Sequence, residues 1–297
     1  MGMDTCTLCP RMCGVNRAAG EKGYCGMDAT IRAARAALHM WEEPCISGTQ
    51  GSGAVFFSGC SLRCIFCQNF EIAEGNCAKE ISGERLSEIF LELQEQGAAN
   101  INLVTAAHYV PAVIESLKKA KAQGMDLPVI YNSSGYERVE TVQMLEEVVD
   151  VWLPDFKYMD SKLAFAYSRA KDYPEVARAA IREMMKAAGT CAYDEDGYIQ
   201  KGVIVRHLIL PGHTKNSIAV LDELYGTYGD DLTISLMNQY TPLPQVRNIP
   251  DLNRRVTKRE YEKVLDHALD LGITQGFFQE GGTAKESFIP LFDYEGL

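Results

Sequence analysis

The feature that most constrains the fold is a regular alternation of short apolar runs and amphipathic runs from residue 54 onward. Apolar runs such as residues 101–104 and 151–153 predict buried strands, whereas residues 85–96 carry their apolar side chains on one face and predict a helix. Six or seven such βα units with almost continuously apolar strands indicate a parallel sheet covered by helices. The chain therefore belongs to the α/β class.

Two architectures fit this pattern: an open doubly wound sheet, and a full or partial barrel. A Gly-x-Gly-x-x-Gly loop does not follow the first strand, which weakens the dinucleotide-binding form of the open sheet. In both architectures the functional site lies at the carboxyl ends of the strands. Polar residues follow or end these strands, and they are our candidate site residues: Cys60, Thr105, His108, Asn132, Ser133, Asp155, Lys157, Arg206, His207, Asn238 and Gln239.

The first 53 residues differ in composition from the rest of the chain. They are rich in Gly, Cys and Arg and show little periodicity, and nine of the ten cysteines lie within the first 77 residues. We expect residues 1–53 to form a loop-rich, metal-binding N-terminal module. Residues 54–297 then form the βα scaffold with a C-terminal extension.

Charge and composition exclude several classes of protein. The net charge of −11 argues against a nucleic-acid partner, because phosphate contacts need a basic surface. The sequence has no apolar run of about 18 residues, which argues against a membrane span. The chain starts without a signal peptide, so we expect a cytoplasmic protein whose cysteines bind metal rather than form disulfides.

The most specific motif is the cysteine triplet Cys60-x3-Cys64-x2-Cys67, directly after the first strand. Three thiolates in one short loop suit a 4Fe-4S cluster and leave one iron without a protein ligand. A structural zinc site completed elsewhere is the alternative. The position of the triplet at the predicted functional end of the scaffold favours the cluster.

This triplet, with Phe66 before its last cysteine, resembles the motif of the radical S-adenosylmethionine (SAM) superfamily. Residues 51–60 and 131–136, Asp155-Phe156-Lys157 and residues 206–212 resemble the pyruvate formate-lyase activating enzyme-like branch of that superfamily, including poorly characterised members with an N-terminal Cys-rich module. The resemblance implies a partial (β/α)6 barrel. It also implies a 4Fe-4S cluster that cleaves SAM reductively to methionine and a 5′-deoxyadenosyl radical, which abstracts hydrogen from a substrate.

The same resemblance assigns roles to individual residues. Cys60, Cys64 and Cys67 would be the cluster ligands. The remaining candidates would contact SAM: Phe66 near the adenine, Asn132 and Ser133 near the methionyl group or ribose, Asp155 and Lys157 near the carboxylate, and Arg206 from its strand. From the residues alone, Phe66 could equally be an apolar anchor of the loop, and Asp155 with Lys157 a salt bridge at the rim.

One departure from the family pattern affects the second strand. The family commonly has Gly-Gly-Glu at its end, whereas this chain has Val104-Thr105-Ala106-Ala107-His108. Thr105 and His108 are the candidates to replace the contact to the SAM amino group. A lone histidine in such a place is more often structural, so that alternative stays open for His108.

A second group of thiols precedes the scaffold, with the spacing Cys6-x2-Cys9-x3-Cys13-x11-Cys25. Four thiolates of this kind bind either a closed structural zinc ion or a second iron–sulfur cluster, and unmetallated thiols are the third alternative. Cys45, Cys77 and Cys191 have no partner spacing, and we expect them to be buried apolar residues.

The sequence thus predicts a radical SAM oxidoreductase that receives electrons from a flavodoxin- or ferredoxin-type donor. Its substrate is either a glycyl radical enzyme, which it would activate, or a small molecule. From a different class, an iron–sulfur electron-transfer protein or a zinc-held binding module on a barrel are the alternatives. Polar residues at several strand ends favour an enzyme over a carrier.

Overall fold

The computed structural model describes residues 2–274, 276–279 and 290–297, and its strands and helices alternate along most of the chain. The strands are β1 (Arg32–His39), β2 (Ser52–Phe57), β3 (Lys79–Glu80), β4 (Ile101–Val104), β5 (Val129–Ser133), β6 (Val151–Pro154), β7 (Ala192–Tyr193), β8 (Ile199–Leu208), β9 (Thr233–Met237) and β10 (Gly276–Phe278). The helices are α1 (Pro44–Ser47), α2 (Phe70–Ala73), α3 (Gly83–Glu95), α4 (Val110–Ala122), α5 (Val139–Leu145), α6 (Ser161–Ser168), α7 (Tyr173–Ala188), α8 (Thr214–Tyr228) and α9 (Lys258–Asp270).

The strands follow one another across the sheet in chain order. From β2 the order runs through β4, β5, β6, β8 and β9 to β10, and every neighbouring pair is parallel. A doubly wound sheet would reverse its order at a switch point, so the sequential order excludes that alternative. Among the described residues no pairing joins β10 to the opposite edge at β3, so the sheet is an open, partial barrel. The predicted partial (β/α)6 barrel is confirmed.

The parallel strands form where the sequence is apolar on both faces. Every residue of β2, β4, β5 and β6 is buried, as expected for a sheet that is covered by helices on one side and encloses its own interior on the other. The register pairs Val55 with Leu103, and Leu103 with Tyr131. The carboxyl ends of these strands, and the polar residues that follow them, therefore meet at one edge.

The first 53 residues contain more regular structure than their composition indicates. Residues Arg32–His39 form β1, which pairs antiparallel with β2 and extends the barrel sheet at its edge. This strand is a departure from the loop-rich character expected of residues 1–53. Apart from its last two residues, β1 consists of alanine and arginine and lacks the β-branched side chains that normally mark a strand, so the hydrogen-bonding edge of β2 decides its conformation.

The helices begin and end as their local sequence predicts. The N-terminus of α3 is capped by the Ser82 side chain, which accepts a hydrogen bond from the backbone of Arg85. The predicted capping box at α9 is present, with Thr257 and Glu260 bonding each other's backbone N–H groups. The apolar face of α3, including Leu86, Phe90 and Leu93, packs into the main core.

The C-terminal residues return to the start of the sheet. The backbone of Tyr294 donates to Ala34 in β1, and Arg35 in the same strand pairs with Asp293 at 2.7 Å. In the same segment the ring of Phe292 packs against that of Phe56 in β2, with the ring centroids 5.7 Å apart. Within the described ranges the helices are too short or too polar to cross a bilayer.

Candidate functional site

The cysteine loop begins with a turn that only glycine accommodates. Gly59 follows β2 with φ of +90°, and an ideal Cβ there would lie 2.9 Å from the carbonyl oxygen of Cys25 and 3.1 Å from Nε2 of His108. The turn directs Cys60 away from the strand into the edge where the parallel strands end. Cys60, Cys64 and Cys67 are free thiols of intermediate exposure.

Hydrogen-bond donors surround the first two of these sulfurs. The backbone N–H groups of Leu62 and Arg63 point at Sγ of Cys60, at 3.4 and 3.5 Å. The hydroxyl of Ser168 donates to Sγ of Cys64 at 3.1 Å. Donors of this kind stabilise metal-bound thiolates and tune the potential of a cluster. These donors would therefore stabilise the sulfurs of Cys60 and Cys64 once they bind metal as thiolates.

The thiols of Cys64 and Cys67 have raised pKa values in the absence of metal. Burial raises the pKa of Cys64, although the ammonium of Lys157 acts in the opposite direction. Burial also raises the pKa of Cys67, and the neighbouring thiol of Cys64 adds to the effect. Because a ligand thiol must lose its proton, metal binding at this loop releases protons and is favoured by higher pH.

Three free thiols in one loop are a donor set that suits an iron–sulfur cluster. In the part of the chain that the structure describes, no three Cys, His, Asp or Glu side chains lie close enough together to hold one metal ion. Thiolates around a single zinc ion all lie about 2.3 Å from it, whereas those of a four-iron cluster are spaced apart by the cluster itself. The three free thiols of this loop suit the second arrangement, and those of Cys60 and Cys64 also accept hydrogen bonds.

One cavity at the carboxyl edge of the barrel brings together nearly all of the predicted site residues. Its lining includes the three cysteines of the loop together with Phe66, Thr105, Asn132, Ser133, Asp155, Lys157 and Arg206. Strands β4, β5, β6 and β8 each contribute at least one of these residues within or just after their carboxyl ends. The lining also includes residues from β1, β2, the β1–α1 connection and the C-terminal segment: His39, Trp41, Glu42, Phe56 and Pro290.

Arg206 is the centre of a buried polar network in this cavity. Its guanidinium donates to Asp155 at 3.1 Å, to Glu42 at 3.0 Å and to the Asn132 amide oxygen at 2.6 Å. The ammonium of Lys157 binds the other carboxylate oxygen of Asp155 at 2.5 Å. Burial opposes ionisation of Asp155, yet Lys157 and Arg206 together hold its pKa below the usual value. The open question about Asp155 and Lys157 is thus answered in part, since they do form a salt bridge, but inside the cavity.

Glu42 is a member of this network that sequence reasoning missed. Its second carboxylate oxygen accepts from the side-chain amides of Asn102 and Asn132, each at 3.2 Å. Glu42 lies in the connection from β1 to α1, and its side chain lines the same cavity as the cysteine loop. The only sequence signal is two adjacent acids before Pro44, which does not distinguish a buried carboxylate from an exposed one.

Thr105 and His108, the two candidates for the missing Gly-Gly-Glu contact, lie in different places. Thr105 lines the cavity with φ of +63°, a left-handed conformation that suits glycine. His108 is buried behind the Gly59 turn, where Nε2 bonds the carbonyl of Ser58 at 2.7 Å. The structure therefore does not bring His108 into the cavity. Its ring packs behind the Gly59 turn and supports it.

Phe66 both anchors the cysteine loop and lines the cavity. Its ring lies among Tyr158, Tyr167 and Tyr240 at centroid distances of 6.3–6.5 Å, and so anchors the loop in an aromatic cluster. The side chain also lines the cavity. His207, in contrast, is fully buried and bonds Ser217 and the carbonyl of Phe156, away from the cavity lining.

The four N-terminal thiols share one neighbourhood beside the cysteine loop. Cys6, Cys9 and Cys25 are buried and Cys13 is exposed, and all four are free. Burial raises the pKa of Cys9 to about 12, and nearby Glu137, Cys25 and Cys13 add to the shift. Their geometry does not form a single-ion site among the described residues. What this quartet binds stays a prediction.

The remaining cysteines occupy three different environments. Cys45 is buried in a small cluster with Ile46 and Ile130, and burial raises its pKa to about 12. Cys191 is partly buried against the same cluster, and Cys77 is partly buried beside another one. The interpretation of these three as apolar residues fits their packing.

Comparisons with known proteins support an iron–sulfur cluster at the cysteine loop. Residues 47–170 match the family described as a 4Fe-4S single cluster domain. An uncharacterised protein from Methanocaldococcus jannaschii is 29% identical over 270 residues, which cover 89% of this chain and 74% of that protein.

Several solved structures are similar at low identity. SuiB from Streptococcus suis bound to S-adenosylmethionine is 13% identical with a TM-score of 0.48, covering 75% of this chain and 48% of SuiB, so the chain spans about half the length of that protein. A domain of pyruvate-formate lyase-activating enzyme from Bacteroides vulgatus is 17% identical with a TM-score of 0.41, covering 58% of this chain and 92% of that one. A cysteine-to-alanine mutant of spore photoproduct lyase is 15% identical with a TM-score of 0.47, covering 74% of this chain and 73% of that one.

The family match spans strand β2 and the cysteine loop, and this loop opens into a cavity at the carboxyl edge of the partial barrel. Over residues 47–170 the chain is therefore similar to the family described as a 4Fe-4S single cluster domain.

Proposed function

We propose that this protein is an enzyme that cleaves SAM reductively at a 4Fe-4S cluster and abstracts hydrogen from a substrate. One observation carries the proposal: the three loop cysteines and all of the residues predicted to contact SAM except His108 line a single cavity at the carboxyl edge of the barrel. An electron-transfer protein needs no such cavity of polar groups beside its cluster. The arrangement therefore supports an enzyme over a carrier.

Cys60, Cys64 and Cys67 would hold the cluster, and the cavity beside them gives SAM access to an iron without a protein ligand. When bound, a reduced cluster and SAM supply a 5′-deoxyadenosyl radical as the hydrogen-abstracting group. The protein's own task is to position the reactants and limit side reactions. The loop meets this need because Leu62, Arg63 and Ser168 direct their donors at its sulfurs.

The polar network would bind the charged end of SAM. The methionyl group of SAM carries an amino group, a carboxylate and a sulfonium, so its site needs groups of both signs. Asp155 supplies a carboxylate held ionised by its neighbours, and Lys157 and Arg206 supply cations. Asn132 and Ser133 supply neutral donors and acceptors from β5. We assign the adenine side to Phe66, and a contact near the amino group to Thr105.

Glu42 would act on the same site through Arg206 and Asn132. By accepting hydrogen bonds from both, it fixes the planes of the guanidinium and of the amide before SAM arrives. A preorganised buried network of this kind binds a charged ligand without reorganising. Glu42 is therefore a positioning residue in this proposal.

For the substrate, we propose activation of a glycyl radical enzyme, with electrons from a flavodoxin- or ferredoxin-type donor. The support is the resemblance of residues 51–60, 131–136 and 206–212 to the activating-enzyme branch. A glycyl radical signal in a candidate enzyme after incubation with this protein, SAM and reductant would support the assignment. Conversion of a small molecule without such a partner would overturn it.

For the N-terminal quartet, we propose a bound metal group, either zinc or a second cluster. The support is four free thiols in one neighbourhood, three of them buried. Metal analysis of the reconstituted protein separates the two: about four irons with one zinc, or about eight irons without zinc. About four irons without zinc would overturn this part of the proposal.

Binding of SAM to the cluster can be tested by electron paramagnetic resonance (EPR). The protein is reconstituted anaerobically with iron and sulfide and reduced with dithionite, and spectra are recorded with and without SAM. We expect a reduced 4Fe-4S signal whose g values shift when SAM is added. The Lys157→Met variant, which removes a cation from the network and leaves the three cysteines in place, should keep the signal and need more SAM for the shift. A signal that SAM does not change would contradict the proposal.

A further inference from the structure

Arg11 connects the N-terminal quartet to the cysteine loop of the barrel. It lies between Cys9 and Cys13, and its guanidinium crosses to three backbone carbonyls on the barrel. Nε donates to the carbonyl of Ser61 at 2.9 Å, and the two Nη atoms donate to those of Arg169 at 2.6 Å and Ser168 at 2.9 Å. A single planar group thus joins segments that are distant from one another in the chain.

Two of these carbonyls belong to the C-terminus of α6. The last carbonyls of a helix have no partner within the helix and carry the negative end of its dipole, so a cation there is stabilising. The helix ends at Ser168, and Arg169 takes a left-handed conformation with φ of +50°. Arg11 therefore caps α6 from a distant segment. The third carbonyl, that of Ser61, lies inside the cysteine loop between Cys60 and Cys64.

The same end of α6 holds the cysteine loop directly. The backbone of Ile65 donates to the carbonyl of Tyr167 at 2.9 Å, and the hydroxyl of Ser168 donates to Sγ of Cys64 at 3.1 Å. Arg11, the Ser61 carbonyl, the loop and Ser168 thus form a closed ring of contacts around Cys64. If Arg11 is removed, Ser61 and the helix end lose the group that links them.

Two aromatic rings fix the plane of the guanidinium. Its carbon lies 4.0 Å from the centre of the Tyr24 ring and 5.1 Å from that of Tyr136. The backbone N–H of Tyr24 points at Sγ of Cys13, so the ring belongs to the quartet's own segment. A lysine could not reproduce this arrangement, because its ammonium is a point charge without the planar fork that donates along three directions.

Strained backbone surrounds this contact. Met12, Arg63 and Arg169 are non-glycine residues with positive φ, of +41°, +51° and +50°. Each lies next to Arg11 in the chain, in the cysteine loop, or at a carbonyl that Arg11 binds. Such conformations cost free energy and persist where surrounding contacts impose them, often at functional sites.

We propose that Arg11 is a positioning residue for the Cys60–Cys67 loop, through which the N-terminal segment shapes the thiol geometry of the barrel site. This inference rests on the proposed function for its purpose, but the contacts concern the metal-free chain. It predicts that the loop opens when Arg11 is changed, even without cluster or SAM.

The test compares Arg11→Met and Arg11→Lys with Arg138→Met as the matched control. Arg138 bonds the same N-terminal segment to the barrel, donating to the carbonyl of Thr7 at 2.7 Å at the start of α5. The metal-free, reduced proteins are treated with iodoacetamide, and alkylation of Cys64 is followed by mass spectrometry with Cys77 as internal reference. Because Cys64 is partly buried, its rate of alkylation relative to Cys77 reports how far its surroundings open.

We expect Arg11→Met and Arg11→Lys to alkylate Cys64 roughly tenfold faster than wild type, a loss of about 1.4 kcal/mol of local protection. Arg138→Met should stay near the wild-type rate. After reconstitution, EPR of the reduced Arg11→Lys protein should show shifted or broadened g values relative to both. Cys64 rates in Arg11→Lys equal to those of Arg138→Met would overturn the inference.

The two proposals fail in distinguishable ways. If wild type never shows a SAM-dependent EPR change while Cys64 protection depends on Arg11, the proposed function fails and the positioning role stands. If wild type responds to SAM while the Arg11 variants match the control in Cys64 protection, the proposed function stands and the inference is wrong. Should Arg11→Met not fold, Arg11→Lys retains the charge and carries the comparison alone.

Discussion

The triplet and the quartet are neighbouring groups of cysteines with different surroundings. The triplet opens into a cavity lined by cations, carboxylates and amides from four strands. The quartet lies among its own loops, and three of its four thiols are buried. The two groups have similar cysteine spacing. They differ in that only the triplet lines a polar cavity among the described residues. Cysteine spacing predicts ligands, whereas the position in the fold predicts chemistry.

The largest effect should come from removing one thiol of the triplet. Cys64→Ala leaves two ligands in the loop, so we expect loss of the SAM-responsive EPR signal after reconstitution. Cys13→Ala, in the exposed part of the quartet, should retain that signal and lose only the metal of the N-terminal segment. Iron and zinc content and EPR check both variants. Loss of the SAM-responsive signal in Cys13→Ala would remove the distinction between the two groups.

The next largest effect concerns the turn where the two regions touch. In Gly59→Ala a methyl group would meet the Cys25 carbonyl at 2.9 Å in a left-handed turn. We expect a loss of about 2–5 kcal/mol in the free energy of unfolding, from strain and overpacking together. The control is Gly97→Ala, at φ of +85° with no heavy atom within 4 Å, which should cost about 1–2 kcal/mol. Denaturant unfolding of the reduced proteins measures both, and equal losses would show that the two regions are not in contact at Gly59.

Replacing the Glu42 carboxylate, which lines the cavity, should have a smaller effect. Glu42→Gln weakens the hold on Arg206, so we expect SAM to bind about tenfold more weakly to the reconstituted protein, or about 1.4 kcal/mol. Glu43→Gln is the control, because burial already raises the pKa of Glu43 and favours its neutral form. Calorimetric titration with SAM compares them. Unchanged affinity in Glu42→Gln would mean that the network does not position the SAM site.

The smallest effect is a pH dependence from His108, which lies between the two regions. Burial lowers its pKa to about 3, far below the unfolded value of about 6.5. The unfolded chain therefore binds more protons between these values, and stability should fall as the pH drops below about 6.5. His108→Gln should reduce this fall by about 1 kcal/mol between pH 6.5 and 5.5. Identical pH profiles of unfolding for both proteins would contradict the buried, neutral histidine.

The sequence was most informative where the local pattern alone decides the structure. Strands β4 and β6 are short, mostly apolar runs, and α9 carries its capping box, so their existence and type were predictable. Most of the cavity was predictable too, since residues at the ends of parallel strands must meet. Asp155 and Arg206 are examples.

The features that were missed depend on contacts between distant segments. Strand β1 forms because the edge of β2 offers hydrogen bonds to an alanine-rich segment, and nothing local to it favours a strand. Glu42 enters the cavity through contacts with Arg206, Asn102 and Asn132, which are distant from it in the chain. His108 follows a strand as expected, but the 3-10 turn that contains it directs its ring behind Gly59. Position along a strand was thus a good guide to the edge of the sheet and a poor guide to the direction of each side chain.

The central claim is that the cavity beside the triplet is a site of reductive SAM cleavage. The most direct measurement is the amount of 5′-deoxyadenosine formed by the anaerobically reconstituted, dithionite-reduced protein with SAM, compared with Cys64→Ala treated identically. We expect 5′-deoxyadenosine and methionine from the wild type and neither above background from the variant. A wild-type protein that contains the reduced cluster and forms no 5′-deoxyadenosine would contradict the account.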